Sequence, residues 1–240
     1  MKNIKNVDIA TIRRFPAMDF IGNDFAIFDN IGDIPLFGYP TRLNASCLTL
    51  CLKGHCRIRI NLKEHELTAG VLVVTLPEQI LQQVERSDDF TGVFIVVSGQ
   101  FIDDVLPTVQ QLFPLFFMIK EQPCVHLKPE EMDAIQEYYS FLQKKVKLKD
   151  NPFRKEITQG LILSLFYEIY SALAVHFGVD IDSERQGYFV QKIVVEQLCK
   201  AIESNQTTNL LLLFIRVAAQ FLKLSFSRTE GGRHNSITFY

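Results

Sequence analysis

The feature that most constrains the fold is an alternation of apolar and other side chains with a period of two between Cys47 and Val97. The apolar positions of the first two segments are Leu48, Leu50 and Leu52, then Cys56, Ile58, Ile60 and Leu62. In the second segment Arg57, Arg59 and Asn61 alternate with them. This pattern is typical of half-buried antiparallel strands, because successive side chains of a strand point to opposite faces.

Further strands are predicted along the same region. Residues 71–76 and 93–97 are almost continuously apolar, and residues 80–85 form another candidate strand. Short strands about ten residues apart, joined by turns, predict a small barrel or sandwich. Residues 1–40 contain several phenylalanines, which predicts short edge strands and an arm that packs onto the domain.

After Ser98 the period becomes helical, so the fold class is predicted to be α+β. Helices are predicted at 100–106, at 109–117, from Pro129 to about Val146, and from Pro152 onward. The last helix carries an apolar stripe that includes Leu161, Leu165, Ile169 and Leu173. The stripe fits either burial against the domain or contact with a second copy of the chain, and these four residues are the candidate dimer contacts.

Composition narrows the functional classes. The formal net charge is −2, which excludes a uniformly basic nucleic-acid binder. Five cysteines without a CxxC pair favour free thiols in the cytoplasm. The N-terminus lacks the apolar segment of a secretory signal, and no apolar run approaches the roughly 20 residues of a membrane span, so no membrane association is expected.

Catalytic and metal-binding patterns are weak. The five histidines form no HxH, HxxxH or HxxE spacing, although His55 and His65 fall in adjacent segments and could meet. Ser98-Gly99 does not form a GxSxG elbow, and the carboxylate pairs lie at turns and helix starts. We therefore expect no catalytic residues, no metal and no cofactor, and a binding module rather than an enzyme.

The order of these segments resembles a known family. The segments Leu50-Cys51-Leu52-Lys53-Gly54, Arg57-Ile58-Arg59-Ile60-Asn61 and Leu67-Thr68-Ala69-Gly70, then a strand ending at Pro77, resemble a cupin barrel. With Pro40-Thr41-Arg42-Leu43-Asn44 before them, Asp89-Phe90-Thr91-Gly92 after them and the helical segment at 164–169, they are similar to the sensor region of AraC-family transcriptional regulators. The resemblance covers roughly residues 35–186.

The resemblance implies a cupin-like sensor barrel with an arm over 1–98 and a helical linker and dimerisation region over 99–183. It also implies a small-molecule effector in the barrel and a homodimer. Metal-binding cupins place a Glu where this chain has Cys47 and a His near the position of Gln82, so a metal-free cavity is expected. The candidate ligand contacts are Leu48, Leu50, Ile58, Ile60, Gln82, Phe94 and Val96. Core packing is the alternative role for each apolar member.

The C-terminal part departs from the family. About 54 residues follow Gln186, too few for the two helix-turn-helix units that bind DNA in AraC-like proteins. Residues 1–186 hold 19 basic and 24 acidic residues, whereas residues 187–240 hold 6 and 3. Reading the codons one nucleotide later permits family-like segments over 187–196 and 224–232. Residues 184–240 are thus predicted to be a degenerate or frame-shifted remnant of the DNA-binding domain.

Three functions follow as hypotheses. The first is the sensing and dimerisation part of an AraC-like regulator whose own DNA binding is weak or lost, while intact relatives bind DNA. The second is a cupin-type protein or enzyme unrelated to transcription, an isomerase or dioxygenase for example, which as an enzyme would require a metal. The third is a stand-alone protein that forms heterodimers with full-length regulators and dampens them.

Overall fold

The computed structural model describes residues 4–15, 18–29, 38–105 and 118–178, all of which belong to one unit within Met1–Asp182. The strands are β1 (Lys5–Val7), β2 (Asp19–Ile21), β3 (Phe25–Phe28), β4 (Thr41–Leu43), β5 (Ser46–Lys53), β6 (His55–Ile60), β7 (Lys63–Thr68), β8 (Val71–Thr75), β9 (Ile80–Arg86), β10 (Thr91–Val97) and β11 (Cys124–His126). The helices are α1 (Ile9–Ile12), α2 (Gly99–Val105), α3 (Pro129–Lys147) and α4 (Arg154–His176).

The strands form two sheets. One has five strands in the order β1-β4-β9-β6-β7, and the other has six in the order β11-β8-β5-β10-β3-β2. All pairs are antiparallel except β1 with β4. These sheets and helices confirm the predicted α+β class. Within the described residues the strands make two facing sheets and are not joined in one closed hydrogen-bonded ring.

The six-stranded sheet is buried on both faces, and this arrangement places the cavity described below. On one face Leu48, Leu50 and Ile95 belong to a large apolar cluster with Ile135 of α3 and Leu165 of α4. On the other face the sheet packs against the five-stranded sheet through two smaller clusters. The β5, β8 and β10 strands therefore lie between the helices and the second sheet.

The predicted strands at 48–52, 56–60, 71–76, 80–85 and 93–97 are confirmed as β5, β6, β8, β9 and β10. Two local predictions need correction. Strand β7 was not predicted, because Lys63, Glu64 and Glu66 give it little apolar alternation. Leu62 was expected on the buried face, but it lies in the turn after β6 and is 94% exposed.

The arm packs onto the domain as expected. Strand β1 pairs with β4, and Val7, Ile9 and Ile12 are buried in a cluster with Leu43 and Phe94. Asp8 caps the short helix α1 by accepting a hydrogen bond from the Thr11 amide at 2.8 Å. The predicted edge strands are thus present, and the N-terminal segment contributes core side chains.

The helices begin and end close to the predicted residues. Pro129 occupies the first turn of α3, where its missing amide proton is not needed, and the Glu131 carboxylate accepts a hydrogen bond from the Lys128 amide at 2.8 Å. Lys144, Lys145 and Lys147 occupy the last turn of α3, where cations suit the helix dipole. The predicted helix at 109–117 and the predicted remnant at 184–240 lie outside the described residues.

The candidate dimer stripe of α4 faces inward. Leu165, Ile169 and Leu173 are each at most 2% exposed, and Leu161 is half-buried against the same cluster. Of the described helices, α4 alone has the length and apolar composition of a membrane span. Because many of its apolar side chains pack in the main apolar cluster, the helix has the composition of a core helix.

Candidate functional site

A cavity of about 70 Å³ lies between the two sheets. Its hydrocarbon wall is formed by Phe28, Phe90 and Phe94 together with Ile58, Leu67, Val73 and Leu81. Its remaining lining residues are Cys47, Cys56, Thr49, Thr75, Gln82 and Gln83. Residues from both sheets therefore border one mostly apolar space, which is partly open to solvent.

Strand β5 contributes its Cys47 and Thr49 side chains to the lining. Leu48 and Leu50 alternate with them and are buried against the helices. The Cys47 Sγ lies 3.5 Å from the Thr49 Oγ1, and the Thr75 hydroxyl of β8 donates to the Cys47 carbonyl oxygen at 3.3 Å. The strand thus has one face in contact with the cavity and the other in the helical core.

Two stacked rings form an aromatic part of the wall. The Phe28 and Phe94 rings have centroids 4.8 Å apart and an interplanar angle of 6°. Phe90, in the turn before β10, adds a third ring to the lining. These large side chains supply most of the apolar surface that a ligand would contact.

The polar side of the cavity is formed by two adjacent glutamines of β9. Gln82 pairs in register with Arg59, and its Oε1 accepts a hydrogen bond from the Arg59 Nη1 at 3.1 Å. Gln83 pairs with Ile58, so its side chain shares the face of the cavity. Among the described residues the Gln83 amide makes no hydrogen bond, which leaves a donor and an acceptor for a bound molecule.

The two cavity thiols are not activated. Burial raises the pKa of the Cys47 thiol to about 11, although its contact with Thr49 opposes the shift. Burial also raises the pKa of Cys56 to about 11, and nearby Cys51 adds to the increase. Protonated thiols are weak nucleophiles, so Cys47 and Cys56 act here as small apolar lining groups.

The structure brings Ile58, Gln82 and Phe94 to the cavity, as the sequence analysis predicted. Leu48 and Leu50 lie on the helix-facing side of β5 and do not line it. Ile60 and Val96 are buried in the clusters between the sheets but are not part of the lining either. Whether a ligand touches the three lining residues stays a prediction.

Sequence reasoning missed the other ten lining residues, which are Phe28, Cys47, Thr49, Cys56, Leu67, Val73, Thr75, Leu81, Gln83 and Phe90. A signal was present in β5, where small and polar residues alternate with leucines. In a strand buried on both faces, the larger apolar residues fill the packed core, and the smaller or polar residues can border a space. The alternation identifies the residues on each face of β5, but it does not show which face borders the cavity.

Charged side chains of β6, β7 and β9 lie on the outer face of the five-stranded sheet. Arg57 forms an ion pair with Glu85, and Arg59 forms one with Glu64. All four side chains are partly exposed, so each pair contributes little to stability. Their position keeps the fixed charges of these strands out of the cavity.

The described residues contain no group of three or more His, Cys, Asp or Glu side chains placed to hold a metal ion. His55 and His65 do not meet, because His55 pairs with Thr68 whereas His65 pairs with Ile58, three positions farther along β6. Burial lowers the pKa of His65. Within the described residues, this hairpin therefore does not bring its two histidines together.

No protein-family model and no curated protein matches the chain. Solved structures with some similarity include apo ToxT from Vibrio cholerae, at 13% identity over 78% of this chain and 67% of that chain, with a TM-score of 0.38. Unsaturated fatty acid bound wild-type ToxT from the same species matches at 11% identity over 89% and 84%, with a TM-score of 0.37. The AraC-like transcriptional activator CuxR matches at 7% identity over 71% and 63%, with a TM-score of 0.29. Because each TM-score is below 0.5, these similarities do not assign a function.

Proposed function

We propose that this chain is the small-molecule-sensing part of an AraC-like transcriptional regulator, and that its effector binds in the cavity between the sheets. The observation that carries the proposal is the cavity itself, whose lining contains no charged side chain and no metal-ligand set. The sequence resemblance adds support, because the strands β5 to β10 and the following helices occur in the order that it implies.

The six-stranded sheet offers a route from effector to helices. Thr49 borders the cavity, while Leu48 and Leu50 on the same strand pack in the cluster that contains Ile135 and Leu165. A ligand that displaces β5 by a fraction of an ångström must therefore disturb helix packing, since close-packed cores do not absorb such shifts freely. We propose this strand as the element that passes ligand occupancy to α3 and α4.

We propose that the chain forms a homodimer in the cytoplasm. Since Leu165, Ile169 and Leu173 are already buried within the chain, a dimer contact along α4 would use its outer side, which includes Glu156, Ser164 and Glu168. Light scattering at several protein concentrations tests this, with a mass of twice 27.5 kDa expected. A monomer at all concentrations would contradict the dimer and leave ligand sensing in place.

For this chain we propose weak or absent sequence-specific DNA binding, in contrast to intact AraC-like relatives. A mobility-shift assay with upstream DNA of the native gene tests that point, and tight sequence-specific binding would contradict it. Sequencing the gene tests the frame-shift hypothesis. A helix-turn-helix coding segment in another frame after residue 186 supports it, and its absence in every frame refutes it.

A ligand screen by thermal unfolding tests the sensing function. At a ligand concentration of about 100 times Kd, binding stabilises the folded state by about 2.7 kcal/mol. For a chain of this size that corresponds to a rise in Tm of roughly 5–10 °C. The variant Thr49→Ile, which extends an apolar group into the cavity, should abolish the rise. A rise of equal size in that variant would place the ligand elsewhere.

No catalytic step is proposed for the cavity. Its thiols are protonated at neutral pH, and its lining offers no carboxylate or imidazole for proton transfer. Metal analysis of the purified protein separates this proposal from the cupin-enzyme alternative. A stoichiometric bound transition metal would favour the enzyme.

A further inference from the structure

We propose that the cavity selects an uncharged, mostly apolar small molecule that carries one hydrogen-bonding group, and that the Gln83 amide receives that group. This inference rests on the proposed sensing function and names the class of effector. Alcohols, phenols, lactones and amides with a small hydrocarbon part belong to this class, whereas carboxylates, phosphates and ammonium compounds do not.

The lining carries no charge that could pair with a charged ligand. None of its members is Asp, Glu, Lys, Arg or His. On the two strands that carry Ile58 and Gln83, Arg57, Arg59 and Glu85 are engaged in ion pairs or hydrogen bonds on the opposite face of the sheet. An ion placed in this space would lose part of its hydration without gaining a partner of opposite charge, and such a transfer is unfavourable.

The lining also cannot satisfy a ligand with many polar groups. The Thr75 hydroxyl donates to the Cys47 carbonyl oxygen, and the Thr49 hydroxyl lies beside the Cys47 thiol. The Gln82 oxygen accepts from Arg59. Gln83 is the lining side chain whose amide has no hydrogen bond among the described residues, so it offers one site with both a donor and an acceptor. A polyhydroxylated ligand would leave most of its hydroxyl groups unpaired.

Size restricts the class further. A buried apolar cavity of about 150 Å³ accepts benzene in an engineered case. The cavity here is about 70 Å³, so a six-membered ring requires some widening. The half-buried side chains of Leu81, Gln83 and Phe90 are placed to move for it. We therefore expect ligands no larger than a single substituted ring.

The test compares probes of equal size that differ in charge or polarity. Phenol and benzyl alcohol are the neutral polar probes, toluene is the apolar probe, and benzoate and benzylamine are the charged probes. Calorimetry or ligand-observed NMR should show saturable binding of phenol and at least tenfold weaker binding of benzoate and benzylamine. Equal binding of charged and neutral probes would overturn the proposal.

The variant Gln83→Leu tests the assigned amide. It should weaken phenol about five- to tenfold, which is the effect of one lost hydrogen bond, and leave toluene within twofold. The matched control is Gln136→Leu on α3. The Gln136 amide donates to the Met132 carbonyl oxygen outside the cavity lining, so this variant should leave phenol within twofold. An equal loss of both probes in Gln83→Leu, or no loss of either, would overturn the role of Gln83.

The variant Thr49→Ile separates the two proposals. If a charged effector from the screen binds the native protein and loses binding in Thr49→Ile, sensing stands and the ligand class falls. If phenol binds equally to both proteins, its site is outside the cavity, so the ligand class is refuted and the screen decides on sensing. If no neutral probe binds, the ligand class is refuted. The thermal-unfolding screen then remains the test of the sensing function.

Discussion

Gly54, in the turn between β5 and β6, is predicted to be the position where one added methyl group is most damaging. Its φ is +72°, in the left-handed region that favours glycine. A Cβ at this position would lie 2.5 Å from the Ser87 Oγ, 2.7 Å from the Phe90 Cα and 2.8 Å from the Asp89 Oδ1. Because Phe90 also lines the cavity, the turn is packed against part of the cavity wall.

The expected effect of Gly54→Ala has two parts. The left-handed backbone costs about 1–2 kcal/mol for an alanine. Overpacking against a backbone atom adds about 1–3 kcal/mol, because the Phe90 main chain must shift. The free energy of unfolding should therefore fall by roughly 2–5 kcal/mol in urea denaturation, and phenol should bind more weakly since Phe90 moves.

The matched control for this substitution is Gly22→Ala. Gly22 has a φ of +54°, but the nearest atom to its added Cβ is the Asp24 Oδ2 at 3.9 Å. It should show only the backbone effect of about 1–2 kcal/mol. Equal losses in the two variants, or unchanged stability in Gly54→Ala, would refute the close packing of the turn against residues 87–90.

Three further predictions concern the core, acid stability and the thiols. Leu50→Ala should lower the free energy of unfolding by about 2–5 kcal/mol, because Leu50 is fully buried. Leu62→Ala should change it by less than about 0.5 kcal/mol, because Leu62 is 94% exposed. Urea denaturation measures both effects. The pKa of Asp104 is lowered by hydrogen bonds from Gln100 and Lys155, so its contribution to stability is present above about pH 4 and is lost as the pH falls through the folded value. Asp104→Asn should make acid unfolding by circular dichroism less steep, and an unchanged profile would contradict this role. Cys47 should react with iodoacetamide at pH 8 much more slowly in the folded than in the urea-unfolded protein by mass spectrometry, since burial raises its pKa to about 11.

The positions of five strands could be predicted from the sequence, because each has an apolar alternation or a short apolar run. The apolar alternation of β6 and the continuous apolar runs of β8 and β10 identify these three strands directly. Strand β7 could not be found in this way, since its charged residues lie at a sheet edge beside β6. Charged side chains are a common protection of an edge strand, and they remove the hydrophobic signal.

The cavity was less predictable, because the sequence does not show which face of β5 or of β9 borders it. In β9 the residues Ile80, Leu81 and Val84 give both phases similar apolar content. Gln83 pairs with Ile58 and Leu81 pairs with Ile60 in regular register, so the two share the inner face of β9, and the pairing with β6 shifts only beyond them, between Arg57 and Ile58. A one-residue change of phase exchanges the two faces, so the sequence predicted Gln82, which borders the cavity, but did not identify Gln83 beside it.

The candidate dimer stripe illustrates the same limit on a helix. Leu161, Leu165, Ile169 and Leu173 form a stripe that burial and dimerisation explain equally well from the sequence. The packing of α4 against α3 and the sheet shows that the stripe is used within the chain. The sequence pattern identifies an apolar face, and only the tertiary structure identifies what covers it.

The central claim is that a small molecule binds between the two sheets. Methyl-labelled NMR during titration with phenol, or with an effector from the screen, tests it most directly. Methyl signals of Ile58, Leu67 and Leu81 should shift along one saturable curve, while exposed Leu62 stays unchanged. Saturable binding that leaves the three cavity signals unchanged would contradict the account.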